Sequence, residues 1–513
     1  MKLSLEEKIG QMFMVGFSGK EPTPELEEFL ERIKPGFIVL FRRNFSSPEQ
    51  ILALTEWLHS LGPISPIIFT DQEGGLVCQL GEMASTYTSP MGLSATGEEA
   101  LSKEAGQGIA EDLLILGFDG VLAPVLDVNW EARNPVIGAR SFSDRAETVE
   151  KFAGELLKGV LEKGIVPVAK HFPGHGGTTS DSHLSLPVVE KDQEFLRKVD
   201  LRPFFSLAPL SPFLMTAHVL YPSLEPEYPA TLSAKIIGKI LRREVSYSGV
   251  VITDCLEMKA IRENFSPEEI IELGLSAGVD VFLSSHSPDY QMSLYEELLN
   301  AVKNGRVPEA RIDLSLSRIL KAKAKFSKKK RPPLSQLRAQ RERELEICRR
   351  SIVVVRDRLG LLPLQGDELG VVEWEKLPST FAIEDARREA YLEPVAKEYF
   401  PKAETLLLPL ENPDFETIRK FALSHKNLLL APYSRTPEAE RLQGQVISEI
   451  LKIREDAVVV PLANPYDLRW FPRASTYLLT FSFRECSLRA LFEVLRGLVF
   501  PSGTLPVKIP LED

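Results

Sequence analysis

This chain of 513 residues is poor in cysteine, histidine and basic charge, and it has no long apolar run. Its four cysteines, Cys78, Cys255, Cys348 and Cys486, lie far apart and form no CxxC pair, so neither a disulfide framework nor a zinc ribbon is expected. A reducing, cytoplasmic setting suits them. No stretch of about 18 uninterrupted apolar residues occurs, so no membrane span is expected. The opening MKLSLEEKIGQMFMVGF is interrupted by Glu6, Glu7 and Lys8 where a signal peptide needs its apolar segment, and export by that route is not expected either. With 61 basic against 72 acidic residues the net charge is −11, which repels nucleic-acid phosphates and anionic lipid at long range. A neutral or small substrate is easier to accommodate than nucleic acid.

At this length, a chain that is 44% hydrophobic can fill two cores. Eight short apolar runs alternate with amphipathic helical stretches: QMFMVGF from 11, GFIVLF from 36, PIIFTD from 66, GVLAPVLDV from 120, IVPVAKH from 165, FLMTAH from 213, GVVITD from 249 and VDVFLSS from 279. Continuous apolar strands between helices predict a parallel sheet covered on both faces, and eight such units predict a closed (β/α)8 TIM barrel over 1–324. The basic stretch KFSKKKRPPLSQ then reads as a solvated linker, 325–345, because Pro332 and Pro333 stop a helix. Six further apolar runs, SIVVV, LGVVEW, TLLLPL, NLLLAPY, AVVVPL and TYLLTF, predict a smaller α/β domain over 346–513.

The polar residues that end the strands of the first half are more informative than the strands themselves. Asp71, Asp127, the pair Lys170 and His171, His218 and Asp254 all stand at C-terminal strand ends. In a barrel those ends converge on the face where active sites are built. A single polar residue can simply terminate an apolar strand, but five such positions together point to a site.

Three of the seven histidines crowd into KHFPGHGGTTSDSHLSLP, residues 170–187. His171 and His175 have the spacing of two metal ligands on one helix face, yet Pro173, Gly174 and Gly176 break helical geometry, and no metal or other cofactor is expected. Asp181 and His183 point to the same side of an extended segment, where the carboxylate can orient the imidazole as a general acid/base. An Asx turn followed by a surface histidine is the plainer alternative. Asp254, with no basic neighbour in sequence before Lys259, supplies the opposing carboxylate that glycosyl transfer requires, or is a buried ion-paired aspartate.

Taken together, LSLEEKIGQMFMVGF, TDQEGG, NPVIGARSFS, KHFPGHG, DSH, LMTAHVLYP, VITDCLEMKAI, ANPYDLRWFP and FPSGTLPVKIP resemble glycoside hydrolase family 3, specifically its β-N-acetylglucosaminidase branch in two-domain form. The resemblance spans nearly the whole chain. It implies that Asp254 is the nucleophile, that His183 is the acid/base oriented by Asp181, and that Asp71, Arg140, Lys170 and His171 hold the sugar hydroxyls. Its implied substrates are small oligosaccharides or muropeptides. Three positions depart from the family pattern. Leu76 and Gln79 stand where EGGRVQRL has arginines, and Gly177 replaces an aspartate common after GHG.

A retaining exo-β-N-acetylglucosaminidase is therefore the leading expectation. A phosphorylase or β-glucosidase of the same family, and a sugar-binding protein with lapsed catalysis, are the alternatives.

Overall fold

The computed structural model describes residues 3–62, 64–182, 185–326, 330–375, 390–410, 413–433 and 437–510. Its strands are β1 (Phe13–Val15), β2 (Phe37–Leu40), β3 (Ile67–Thr70), β4 (Gln72–Gly74), β5 (Val77–Cys78), β6 (Gly120–Val121), β7 (Val166–Phe172), β8 (Phe213–Thr216), β9 (Val250–Ile252) and β10 (Phe282–Ser284), followed by β11 (Val353–Asp357), β12 (Glu368–Trp374), β13 (Lys402–Leu408), β14 (Leu428–Ala431), β15 (Val458–Val459) and β16 (Thr476–Leu479).

The first sheet has eight strands in the order β10-β1-β2-β3-β6-β7-β8-β9, and every adjacent pair is parallel. A parallel bridge from Ile252 to Val281 joins the two ends, so the sheet closes into the expected barrel. All eight apolar runs supply its strands. The helices around it start where local chemistry directs: Thr23, Ser47, Ser266 and Ser287 each precede a proline and accept a backbone N–H of the first turn. Phe37, Phe69 and Phe213 meet inside the barrel with ring centroids 5.7 to 6.2 Å apart. Gly120 is obligatory beside them, because a Cβ there would lie 2.1 Å from the Phe69 ring.

The second sheet is ordered β11-β16-β15-β14-β12-β13, with β11 antiparallel to β16 and the remaining pairs parallel. Its six strands fall on the six apolar runs of the C-terminal half. In the joining segment residues 327–329 lie outside the described residues, and 330–343 are exposed or half-buried. Arg331 pairs with Glu56 at 3.0 Å, the Arg338 N–H donates to Asp112 at 3.0 Å, and the helix Arg341–Ser351 begins inside it. Arg331 and Arg338 thus each reach a carboxylate on the barrel, Arg338 also through its guanidinium with Glu82 at 3.6 Å. Among the described residues no helix is long and apolar enough to cross a membrane.

Candidate active site

A cleft at the C-terminal ends of the barrel strands is lined by Asp71, Arg140, Lys170, His171, His175 and Asp254. Asp71 follows β3, Lys170 and His171 end β7, and Asp254 follows β9. In a regular strand, consecutive residues such as Lys170 and His171 face opposite sides. Here the pairing of β7 with β8 slips between Ala169 and Phe172, and both side chains reach the cleft.

The floor is an ionic lattice of two cations and two carboxylates. Lys170 Nζ lies 2.6 Å from Asp71 and 2.6 Å from Glu73, while Arg140 donates to both Glu73 oxygens at 2.7 and 2.8 Å. Burial alone pushes the Glu73 carboxyl up, but Arg140 and then Lys170 outweigh it and hold the group at about 2. The same balance raises Arg140 and Lys170 above their ordinary values, since their carboxylates outweigh the cost of burial. Asp71 moves the other way: burial pushes it up more than Lys170 pulls it down. The result is a set of charged donors and acceptors fixed in place before any ligand arrives, suited to directional bonds with hydroxyls.

Asp127 is not at the cleft surface. It is fully buried beneath it, and accepts the His171 N–H at 3.2 Å, the His175 N–H at 2.7 Å and the His171 ring through Nδ1 at 2.7 Å. Burial pushes this carboxyl up, but the His171 ring more than compensates and holds it below its ordinary value. His171 is thereby oriented, with Nε2 left for the cleft. His175 is pushed down to about 4 by burial and by His171, and both its nitrogens are engaged, Nδ1 by the Thr178 hydroxyl at 3.0 Å and Nε2 by the Ser182 hydroxyl at 3.2 Å. Among the described residues no group of three or more histidine, cysteine or carboxylate side chains could hold a metal ion.

His218 is likewise a support rather than part of the cleft wall. Its Nδ1 meets Thr231 Oγ1 at 2.8 Å and its Nε2 meets the Cys255 carbonyl at 3.1 Å, bracing the backbone next to Asp254. Asp254 accepts the Cys255 N–H at 2.7 Å through Oδ1. Asp181 is half-buried, and the adjacent Ser182 reaches the cleft; His183 lies outside the described residues.

Sequence reasoning passed over Glu73, although TDQEGG contains it and it stands two residues from Asp71, the spacing that puts strand neighbours on one face. The three departures from the family pattern have structural explanations. Leu76 is buried in the apolar core of the C-terminal half. Gln79 is buried and accepts the Arg42 N–H at 2.9 Å, and neither Leu76 nor Gln79 lines the cleft. At Gly177 a Cβ would sit 2.0 Å from the Trp130 indole, so the space of the usual side chain is taken by Trp130. The indole in turn donates to Asp200 at 3.2 Å and packs edge-on against Phe195.

Residues 4–322 match the Glycosyl hydrolase family 3 N terminal domain. The chain belongs to glycosyl hydrolase family 3. Within this family it is 28% identical to beta-hexosaminidase A of Pseudoalteromonas piscicida over 99% of this chain and 97% of that one. It is 38% identical to a beta-hexosaminidase of Alkalilimnicola ehrlichii over 54% of this chain and 81% of that one. Among solved structures, the family 3 beta-N-acetylglucosaminidase of Paenibacillus sp. str. FPU-7 superposes with a TM-score of 0.91 at 31% identity, covering the whole of both chains. The family 3 chain described here thus shares both its barrel and its C-terminal half with that enzyme.

Proposed function

We propose that this family 3 glycoside hydrolase is a retaining exo-β-N-acetylglucosaminidase that removes terminal β-linked N-acetylglucosamine from muropeptides or chitooligosaccharides. The observation that carries the reading is one cleft whose lining brings Asp254 together with Asp71, Arg140 and Lys170, the last two held by the buried Glu73. The full-length likeness to a β-N-acetylglucosaminidase supports the choice of sugar.

In this reading the lattice and His171 hold the sugar hydroxyls. An Asp254 oxygen attacks the anomeric carbon and forms a glycosyl ester, while the bond to the leaving oxygen breaks and His183, oriented by Asp181, gives that oxygen its proton. His183, now neutral, removes a proton from water, and the resulting attack releases Asp254 and the sugar with its original configuration. The barrel at 1–324 carries this chemistry, 325–345 joins the halves, and 346–513 forms the second domain. A cytoplasmic location accords with four free cysteines.

The experiment is a panel of aryl N-acetylglucosaminide, glucoside and xyloside, with products analysed in the presence and absence of phosphate. Free N-acetylglucosamine of retained configuration is expected. Cleavage of the glucoside alone, or a sugar 1-phosphate as the main product, would overturn the assignment. Asp254→Asn keeps the shape but loses the attacking charge, and turnover should fall by several orders of magnitude.

A further inference from the structure

Glu73 sits on a hairpin too small to hold itself. β4 and β5 share two residue pairs, Gln72 with Cys78 and Gly74 with Val77, and a two-stranded hairpin of that size has no independent stability. Its anchors come from the C-terminal half. Arg484 is buried and donates through Nε to the Gly75 carbonyl at 2.9 Å and through a terminal nitrogen to the Cys78 carbonyl at 3.4 Å. Its guanidinium lies 4.7 Å from the centre of the Phe483 ring. Leu76 and Val77, at the hairpin tip, join the apolar core of the same half.

A second anchor lies behind the first. Glu344 is fully buried and accepts the Thr86 N–H at 2.8 Å and the Thr86 hydroxyl at 3.0 Å, fixing the segment whose Thr86 carbonyl takes the Gly75 N–H at 3.1 Å. Gly74 and Gly75 have φ of 99° and 58°, and a Cβ on either would lie 2.6 Å from Thr88 or Ser89. The contact is backbone against backbone, so the hairpin cannot shift without this segment.

The loop that carries Arg140 is held from the same side. Asn129 accepts the Gly138 N–H at 3.1 Å and donates to the Tyr466 hydroxyl at 3.0 Å. Ser143 Oγ donates to the Pro506 carbonyl at 2.6 Å, and the Lys508 N–H donates to Asp144 at 2.8 Å. Both partners of the Glu73–Arg140 fork are therefore positioned by residues beyond 340.

We infer that the C-terminal half sets the sugar-binding geometry of the barrel cleft, with Arg484 and Tyr466 as positioning residues that act through Glu73 and Arg140. The inference rests on the reading of that fork as part of the sugar-holding frame. It assigns the C-terminal half a share in ground-state binding although none of its described residues lines the cleft.

The test uses Arg484→Ala, Arg484→Lys and Tyr466→Phe in the full chain. With aryl N-acetylglucosaminides of good and poor leaving group, Arg484→Ala should raise KM about tenfold for both, the scale of coupling carried through supporting contacts. The inhibition constant of free N-acetylglucosamine should rise in step, while kcat changes much less. Arg484→Lys should recover part of the loss, and Tyr466→Phe should show a smaller effect of the same kind. A partly misfolded preparation lowers apparent kcat and leaves KM alone, so that pattern would overturn the inference. Hydrogen exchange of the peptide spanning 72–80 reads the clamp without any substrate. Faster exchange in Arg484→Ala is expected, and unchanged exchange would sink the clamp even if the wild-type enzyme proved to prefer another sugar.

Discussion

Glu73 grips Arg140 through both carboxylate oxygens, at 2.7 and 2.8 Å, with almost no solvent reaching either side chain. A paired fork of this kind orients better than a single contact, and buried charge makes it costly to break.

Glu73→Gln keeps the shape and removes the charge, leaving Arg140 and Lys170 with Asp71 as their only anionic partner in the lattice. Removing one partner of a buried pair costs about 3–5 kcal/mol. The folded protein holds Glu73 ionised down to about pH 2, below its ordinary 4.5, so folding releases a proton between those values and the stabilisation is lost as pH falls through that window. Denaturation of both proteins against pH should show a deficit that is full above pH 4.5 and narrows toward pH 2. A deficit independent of pH would mean that charge is not the cause.

The site offers two histidine–aspartate pairs, His171 with Asp127 and the proposed His183 with Asp181. Leaving-group dependence separates them. If His183 is the acid, His183→Ala should impair substrates with poor leaving groups far more than activated aryl glycosides, and Asp181→Asn should give a milder form of the same pattern. His171→Ala should weaken all substrates alike, because a group that holds a hydroxyl does not sense the leaving group. The opposite pattern would move the acid/base role to His171.

Restoring the family's aspartate at Gly177 should damage this protein. The new Cβ would meet the Trp130 indole at 2.0 Å, forcing the ring off Asp200, and overpacking of this kind costs about 1–3 kcal/mol. Gly177→Asp should lower both the melting temperature and kcat/KM. Trp130→Ala in the same background should recover the melting temperature, and its failure to do so would mean that the indole is not the obstacle.

Asp200 gives a pH signature of opposite sign to that of Glu73. Burial pushes its carboxyl up to about 7, against the pull of the Trp130 N–H and Lys191, while Asp127 adds to the push. The folded protein keeps a proton that the unfolded chain releases near 3.8, so stability falls as pH rises from about 4 to 7 and stays lower above. Asp200→Asn cannot ionise and can still accept from Trp130. It should match the wild type near pH 4 and exceed it at pH 8, by on the order of 4 kcal/mol at most. Equal stability at pH 8 would show that Asp200 carries no such strain.

The sequence by itself determined the strand-and-helix alternation, because apolar runs and cap residues are local signals that survive any packing. It determined the closing of eight strands into a barrel, and it put Asp71, Lys170, His171 and Asp254 at strand ends, which the closed sheet brings to one cleft. Only the tertiary structure decided their neighbours. Glu73 stands 67 residues from Arg140 in the chain, and no period or spacing links them. Asp127 and His218 look like cleft residues from their strand ends, yet they turn to the second layer, because burial leaves their polar atoms to be satisfied by His171, His175 and the Cys255 carbonyl. Leu76 and Gly177 read as losses in one dimension. In three, the first is core for the distant sheet and the second is room for Trp130, since a side chain's worth depends on what fills the space around it, and contacts between residues hundreds of positions apart leave no local pattern to read.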